Sequence, residues 1–380
     1  MAKTWTGRFP RNDIISLLDI HRPLNLAEST SQDLHFGELI DLIGYEKVRD
    51  VRLGYGSAQG LELLRDAIAS LCHIAADQVV TTQGTALAIY LLAIELCRSG
   101  DEVVLFTPCF PPSRDALLGS DITVREVPLK FEDSYRVDIK RLAYKLTTKT
   151  RLISLATPQN PSGVSTMPET ISAILRAMDR SAPNAYLFID ETYRCATYSD
   201  AMPLASFAGY DRRIITGGSV SKAYGAPGLR VGWVTTEDAH LRERLMTAKM
   251  NVVISGSPLD ETLAAHLIKN REAVLAPRRA LLATGLNILE AWHISEAHRL
   301  DWVRPDSGAL CCMRLSEQTF DDTAITRFWS TLPDLDLQLA AGSWFGESDR
   351  IFRLGFGYLT IAKLSEALAT LSKAMDLIQG

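Results

Sequence analysis

"SVSKAYGAPGLRVGW", residues 219–233, sets Lys222 between two serines and a turn that carries glycine and proline, with Arg230 a little further on. The stretch before it, "RRIITGG" (212–218), reads as a short β-branched strand closing on Gly217 and Gly218. A loop lysine taken alone is ordinarily a solvated surface charge. A lysine at the carboxyl end of a buried strand is different, because α/β folds gather their chemistry there. The rest of the chain decides between the two.

Outward from this stretch, strand-like runs alternate with helical patterns. "DQVVTTQG" (77–84), "DEVVLFTP" (101–108), "TRLISLATP" (150–158), "AYLFIDE" (185–191) and "RVGWVTT" (230–236) are the strands. Between them lie helical stretches such as "MPETISAILRAMDR" (167–180), with a start signal at Thr166 and Pro168. Several strands are apolar almost throughout, as expected when both faces of a sheet are covered. The alternation predicts an α/β domain with a mostly parallel sheet. After about residue 275 the texture changes. "NREAVLAPRRALLATGLNILEAW" (270–292) reads as a long helix interrupted at Pro277, followed by "GALCCMRL" (308–315), "RIFRLGFG" (350–357) and a closing helix, "IAKLSEALATLSKAMDLI" (361–378). The division predicted is an N-terminal arm with part of a small domain (1–45), a large domain (46–275) and a C-terminal small α+β domain (276–380).

Composition excludes several functions. The net charge of −5 and the lack of any basic block argue against nucleic acid or an anionic membrane as a partner. The six cysteines show no CxxC spacing, so neither a zinc site nor a disulfide framework is indicated, and a reducing cytoplasm is expected. The start lacks the apolar core of a signal peptide. The longest apolar run, "ALAIYLLAIELC" (86–97), is too short to span a bilayer and reads as a buried helix. "GYGSAQG" (54–60) has the wrong spacing for a dinucleotide fingerprint, and no strand precedes it. The histidines do not cluster at ligand spacing, so no metal site is expected.

Three further stretches end strands. "TTQGTAL" (81–87) puts Gly84 and Thr85 at a helix entry, where free N–H groups and the helix dipole can seat a phosphate, although Gly-Thr also simply starts helices. "TPQNPSG" (157–163) holds Asn160 between two prolines, a composition that also makes an ordinary stiff turn. "YLFIDETY" (186–193) puts Asp190 at the end of an apolar strand. A carboxylate buried there needs a cation or hydrogen-bond donors, either as a cap or as a cofactor partner.

Read together with 219–233, these stretches resemble in order and spacing the class I/II aminotransferases of fold type I, from about Tyr55 to Arg353. The resemblance implies pyridoxal 5′-phosphate as cofactor, on a large domain with a mostly parallel, mixed seven-stranded sheet between helices. It implies a Schiff base on Lys222, and a phosphate site of Gly84, Thr85, Ser219, Ser221 and Arg230. Phe110 would stack on the pyridine ring, Asn160 and Tyr193 would bond its phenolic oxygen, and Asp190 would pair with its nitrogen. Arg353, with Asn160 and Ala27, would hold the substrate, the arginine forking around the α-carboxylate. Tyr55 would reach the neighbouring subunit's phosphate, which implies a homodimer with shared sites.

The reaction so implied is amino transfer from an L-amino acid to a 2-keto acid through pyridoxamine phosphate. Dicarboxylate-specific members of this family carry a second arginine downstream of the lysine motif, and "KMNVVISGSPLDE" (249–261) has none. A neutral or basic amino donor is therefore expected. "LNLAESTSQDLHFGEL" (24–39) lies where the family closes over its substrate and carries Glu28, Asp33, His35 and Glu38. These are either a solvated entry loop or groups suited to a cationic substrate. The N-terminal texture also resembles capreomycidine-synthase-like members, so elimination and cyclisation of an arginine derivative is the alternative. A regulator fused to a DNA-binding module is a third class, and no such module is visible.

Overall fold

Strands Val79–Thr82 (β1), Glu102–Thr107 (β2), Thr123–Pro128 (β3), Thr150–Ala156 (β4), Tyr186–Asp190 (β5), Ile214–Ser219 (β6) and Gly232–Thr235 (β7) form the main sheet of the computed structural model, which describes residues 6–120 and 122–379. The spatial order of these seven strands is β1-β7-β6-β5-β4-β2-β3. Only β7 runs against its neighbours, so β1 to β6 all point one way. β2 shows why. Val103 and Leu105 pack into the core beneath helices Thr85–Leu96 and Ala239–Val253, while Val104 and Phe106 pack into the core on the opposite face, under helix Pro168–Ser181. With both faces buried, crossover helices must cover both sides, and the strands they join run parallel.

The helix Pro168–Ser181 begins at Met167, with Pro168 in its first turn, and Thr166 makes no cap. Proline fits there because its missing N–H would find no helical acceptor. The long C-terminal helix runs unbroken from Arg271 to Glu296 with Pro277 inside it. The predicted interruption at Pro277 is thus corrected. The proline removes a single i→i−4 bond near the helix start, and packing of Val274, Leu275, Leu282, Leu286 and Leu289 holds the helix together across it.

This helix, together with Asp322–Thr331 and Ile361–Ile378, accompanies an antiparallel sheet. Its order is Ala340–Ala341, Ile351–Gly355, Leu310–Leu315, Leu300–Val303. The N-terminal segment joins the same part of the molecule, since Leu24–Asn25 pairs in parallel with Leu337–Gln338 and Gly355 N–H donates to Leu26 O. Among the described residues no helix is long and apolar enough to cross a membrane.

Candidate active site

Because β1 to β6 share one direction, their carboxyl ends lie along one edge of the sheet, and the strand-ending stretches singled out in the sequence leave from that edge. Gly84 and Thr85 follow β1, Phe110 follows β2, Asn160 follows β4, Asp190 ends β5, and Lys222 follows β6. Thr85, Phe110, Asn160, Asp190, Tyr193 and Lys222 line one cavity.

Lys222 is held between buried Val220, Ala223 and Tyr224. Its Nζ donates to Ser29 Oγ at 3.2 Å and lies 3.5 Å from Glu28 Oε1. Burial alone would raise the Glu28 pKa. The charges of Lys222 and Arg353, with the N–H of Ser29, outweigh burial and hold that carboxyl below its ordinary value. On the far side of Ser29, Tyr193 OH donates to the same Oγ at 2.9 Å, and Asn160 Nδ2 reaches the Tyr193 oxygen at 3.4 Å.

Asp190 accepts from Thr192 N at 2.9 Å and Thr192 Oγ1 at 2.5 Å, both on Oδ1. Burial raises its pKa in spite of these bonds, and Lys222 opposes the rise only through space. A partly exposed carboxylate whose pKa is still raised against the bonds from Thr192 and Thr85 and the charge of Lys222 would be stabilised by a bound cation.

Arg353, 2% exposed, comes from an inner strand of the four-stranded antiparallel sheet, opposite Cys312. Its Nη1 donates to Asn160 Oδ1 at 3.0 Å and Nη2 to Ala27 O at 2.6 Å, with its guanidinium 4.8 Å from the Phe345 ring centroid. Nε is buried without a partner. An orphaned guanidinium donor is costly unless something acidic answers it, and a carboxylate taken side-on would.

At the other end, helix Thr85–Leu96 begins at Gly84, whose φ of +77° excludes most side chains and which provides no side-chain cap. Its first N–H groups are therefore available, and the dipole favours an anion. A Cβ on Gly84 would lie 2.9 Å from Arg230 Nη2, so the guanidinium rests directly over this corner. Ser219 and Ser221 are buried nearby in sequence, with Ser221 N–H donating to Ser219 Oγ at 3.3 Å. A helix start and an arginine suited to a dianion at one end, a lysine in the middle and a carboxylate suited to a cation fit the polar groups of pyridoxal phosphate. No group of three or more His, Cys, Asp or Glu that could hold a metal is found among the described residues.

Some expected residues lie elsewhere. Tyr55 is 86% exposed and makes no part of this chain's own cavity. His35 and Glu38 form a reciprocal cap on helix Phe36–Ile43, and Asp33 is exposed, its pKa raised first by partial burial and then by Glu28. Only Glu28 of that acidic group touches the lysine. Ser29, which bridges Lys222 and Tyr193, went unread in the sequence.

The aminotransferase class I and II family profile matches residues 27–371. Capreomycidine synthase of Streptomyces vinaceus is 31% identical, over 92% of this chain and 89% of that protein. Arginine–pyruvate transaminase of Pseudomonas aeruginosa is 27% identical, over 77% of this chain and 75% of its own length. Among solved structures, a PLP-dependent aminotransferase from Streptococcus suis superposes with a TM-score of 0.87 at 22% identity, covering 98% of this chain and 99% of that one. The chain is a fold-type-I member of the class I and II aminotransferase family, with pyridoxal 5′-phosphate as its cofactor.

Proposed function

We propose that this enzyme transfers the amino group of an L-amino acid with a cationic side chain to a 2-keto acid. The observation that carries the substrate half is Glu28, a largely buried carboxylate whose close cation is the amine of Lys222. Once that amine is engaged by the cofactor, Glu28 keeps the N–H groups of Ser29 and Thr30 and the charge of Arg353, which the substrate α-carboxylate would share. Another positive charge beside it would then be favoured. A substrate ammonium or guanidinium supplies it. The names of two relatives, arginine–pyruvate transaminase and capreomycidine synthase, agree with this choice.

Bound pyridoxal phosphate supplies an electron sink for the bond broken at the substrate's Cα. The chain's residues do the rest. Gly84, Thr85, Ser219, Ser221 and Arg230 would hold the phosphate, and Phe110 would lie against the ring. Asp190 would keep a proton on the ring nitrogen, while Asn160 and Tyr193 bond the ring oxygen. Lys222 would take the proton from Cα and return it one atom away. Arg353 would orient the α-carboxylate so that the Cα–H bond faces that amine. Tyr55 would serve the second site of a homodimer, which suits its exposure in the single chain.

A second reading, elimination and cyclisation of an arginine derivative, is favoured by the similarity to capreomycidine synthase across 92% of the chain. Product analysis after one turnover separates the two. Amino transfer leaves the cofactor in its amine form and releases a keto acid with the intact carbon skeleton. A cyclic product with the cofactor returned to its aldehyde oxidation level would overturn transfer in favour of cyclisation.

A further inference from the structure

Ser29 belongs to neither the cofactor set nor the substrate set above, yet its side chain touches Lys222 and Tyr193. On a residue 2% exposed, Oγ accepts from Lys222 Nζ at 3.2 Å and from Tyr193 OH at 2.9 Å. Asn160 Nδ2 reaches that phenol at 3.4 Å, and Arg353 Nη1 reaches Asn160 Oδ1 at 3.0 Å. One hydrogen-bonded chain therefore joins the carboxylate-reading arginine to the lysine. Ser29 is its link to the lysine.

A hydroxyl suits this place. With two acceptor lone pairs and one hydrogen, it can accept from both neighbours while the amine is charged. When the amine loses a proton, the hydroxyl can turn and donate to Nζ while still accepting from Tyr193. Alanine and glycine can do neither. The serine's own position is fixed by more than its bond to the lysine. Its N–H donates to Glu28 Oε1 at 2.7 Å, and the Glu28 carbonyl packs so closely on the small-domain strand that a Cβ on Gly355 would lie 1.7 Å from it. The small domain thus presents a fixed hydroxyl to a flexible lysine on the large one.

We propose that Ser29 is a positioning residue for Lys222, holding its amine, whenever it is free, where it exchanges a proton with the substrate's Cα. The inference rests on Lys222 being the base of the proposed reaction. It does not rest on which amino acid is the donor or on the net outcome.

The test compares wild type with Ser29→Ala and with Ser29→Cys, which keeps the size and a weak hydrogen-bonding group. Uptake of pyridoxal phosphate by apoenzyme, followed by absorbance, needs the Lys222 amine and no substrate. Exchange of the substrate α-hydrogen for solvent deuterium, followed by mass spectrometry, needs the amine in place but no particular product. S29A should reach the same final cofactor content about tenfold more slowly, the loss expected for a hydrogen bond to a charged group. Its α-hydrogen exchange should fall about as much with KM within about twofold, and S29C should lie between. S29A equal to wild type in both uptake and exchange overturns the proposal. Should S29A fold poorly, S29C decides, and equality with wild type in both measurements again overturns it. If wild type exchanges no α-hydrogen with any amino acid, the proposed reaction fails while the uptake comparison still judges Ser29.

Discussion

Replacing Arg353 by lysine keeps the positive charge and removes the fork. In the structure the guanidinium spends Nη1 on Asn160 and Nη2 on Ala27 O, leaving Nε buried and unpartnered. A substrate carboxylate taken side-on would engage Nε and the adjacent Nη. A lysine ammonium has three donors, one fewer than the four bonds the guanidinium would make to Asn160, Ala27 and the two carboxylate oxygens. The variant therefore loses at least one charge-assisted hydrogen bond, worth about 1.5–3 kcal/mol, or roughly 10- to 150-fold in kcat/KM. Part of that loss should fall on kcat, because a carboxylate held at one point lets the Cα–H bond swing away from Lys222. The assay is steady-state kinetics of R353K with the best donor, beside cofactor content and thermal melting to exclude a folding defect. Kinetics within about threefold of wild type, in a fully loaded and folded protein, would refute the assignment of Arg353 to the α-carboxylate.

Further predictions come from the buried charges. Asp190→Asn should melt higher than wild type as apoprotein at neutral pH. A raised carboxyl pKa contributes stability only at low pH and loses it as pH rises through the folded value, so the amide removes a penalty. The same variant should gain less from added cofactor and lose most turnover, and an unchanged holoenzyme would reduce Asp190 to a cap for Thr192. Glu28→Gln should lower kcat/KM for cationic donors by roughly 10- to 150-fold while sparing neutral ones; an unchanged ratio between the two donor classes would remove Glu28 from side-chain recognition. Lys249, fully buried beside Thr81, has its pKa lowered by burial from 10.5 to about 8. Its folded form sheds the proton first, so stability should rise from pH 8 to 10.5 in wild type relative to Lys249→Met, read as the difference in melting temperature. A flat difference across that window would show that Lys249 is not held in so dry a site.

Much of the site is legible in the sequence for a physical reason. Gly84, Asn160, Asp190 and Lys222 each stand at the end of an apolar run, and a parallel sheet brings such ends to one edge whatever lies between them. Glu28 and Ser29 had no such marker. Their partner Lys222 is nearly two hundred residues away, and the contact depends on how the N-terminal segment docks beside the strand Ile351–Gly355, which no local pattern encodes. For His35 and Glu38 the sequence leaves two readings open, a solvated entry loop or groups facing a cationic substrate. Their acidic and basic side chains look like substrate groups but satisfy a helix start. The local propensity of Pro277 is to break a helix, and tertiary packing overrides it.

The charge of the preferred donor side chain is the deciding property. Holoenzyme mixed in single-turnover amounts with L-arginine, L-lysine, a neutral amino acid and L-glutamate, and followed by the loss of the resting cofactor absorbance, tests it directly. The cationic amino acids should react fastest and glutamate slowest, since a carboxylate side chain would meet Glu28 and no second arginine in 249–261. Glutamate reacting fastest would contradict this.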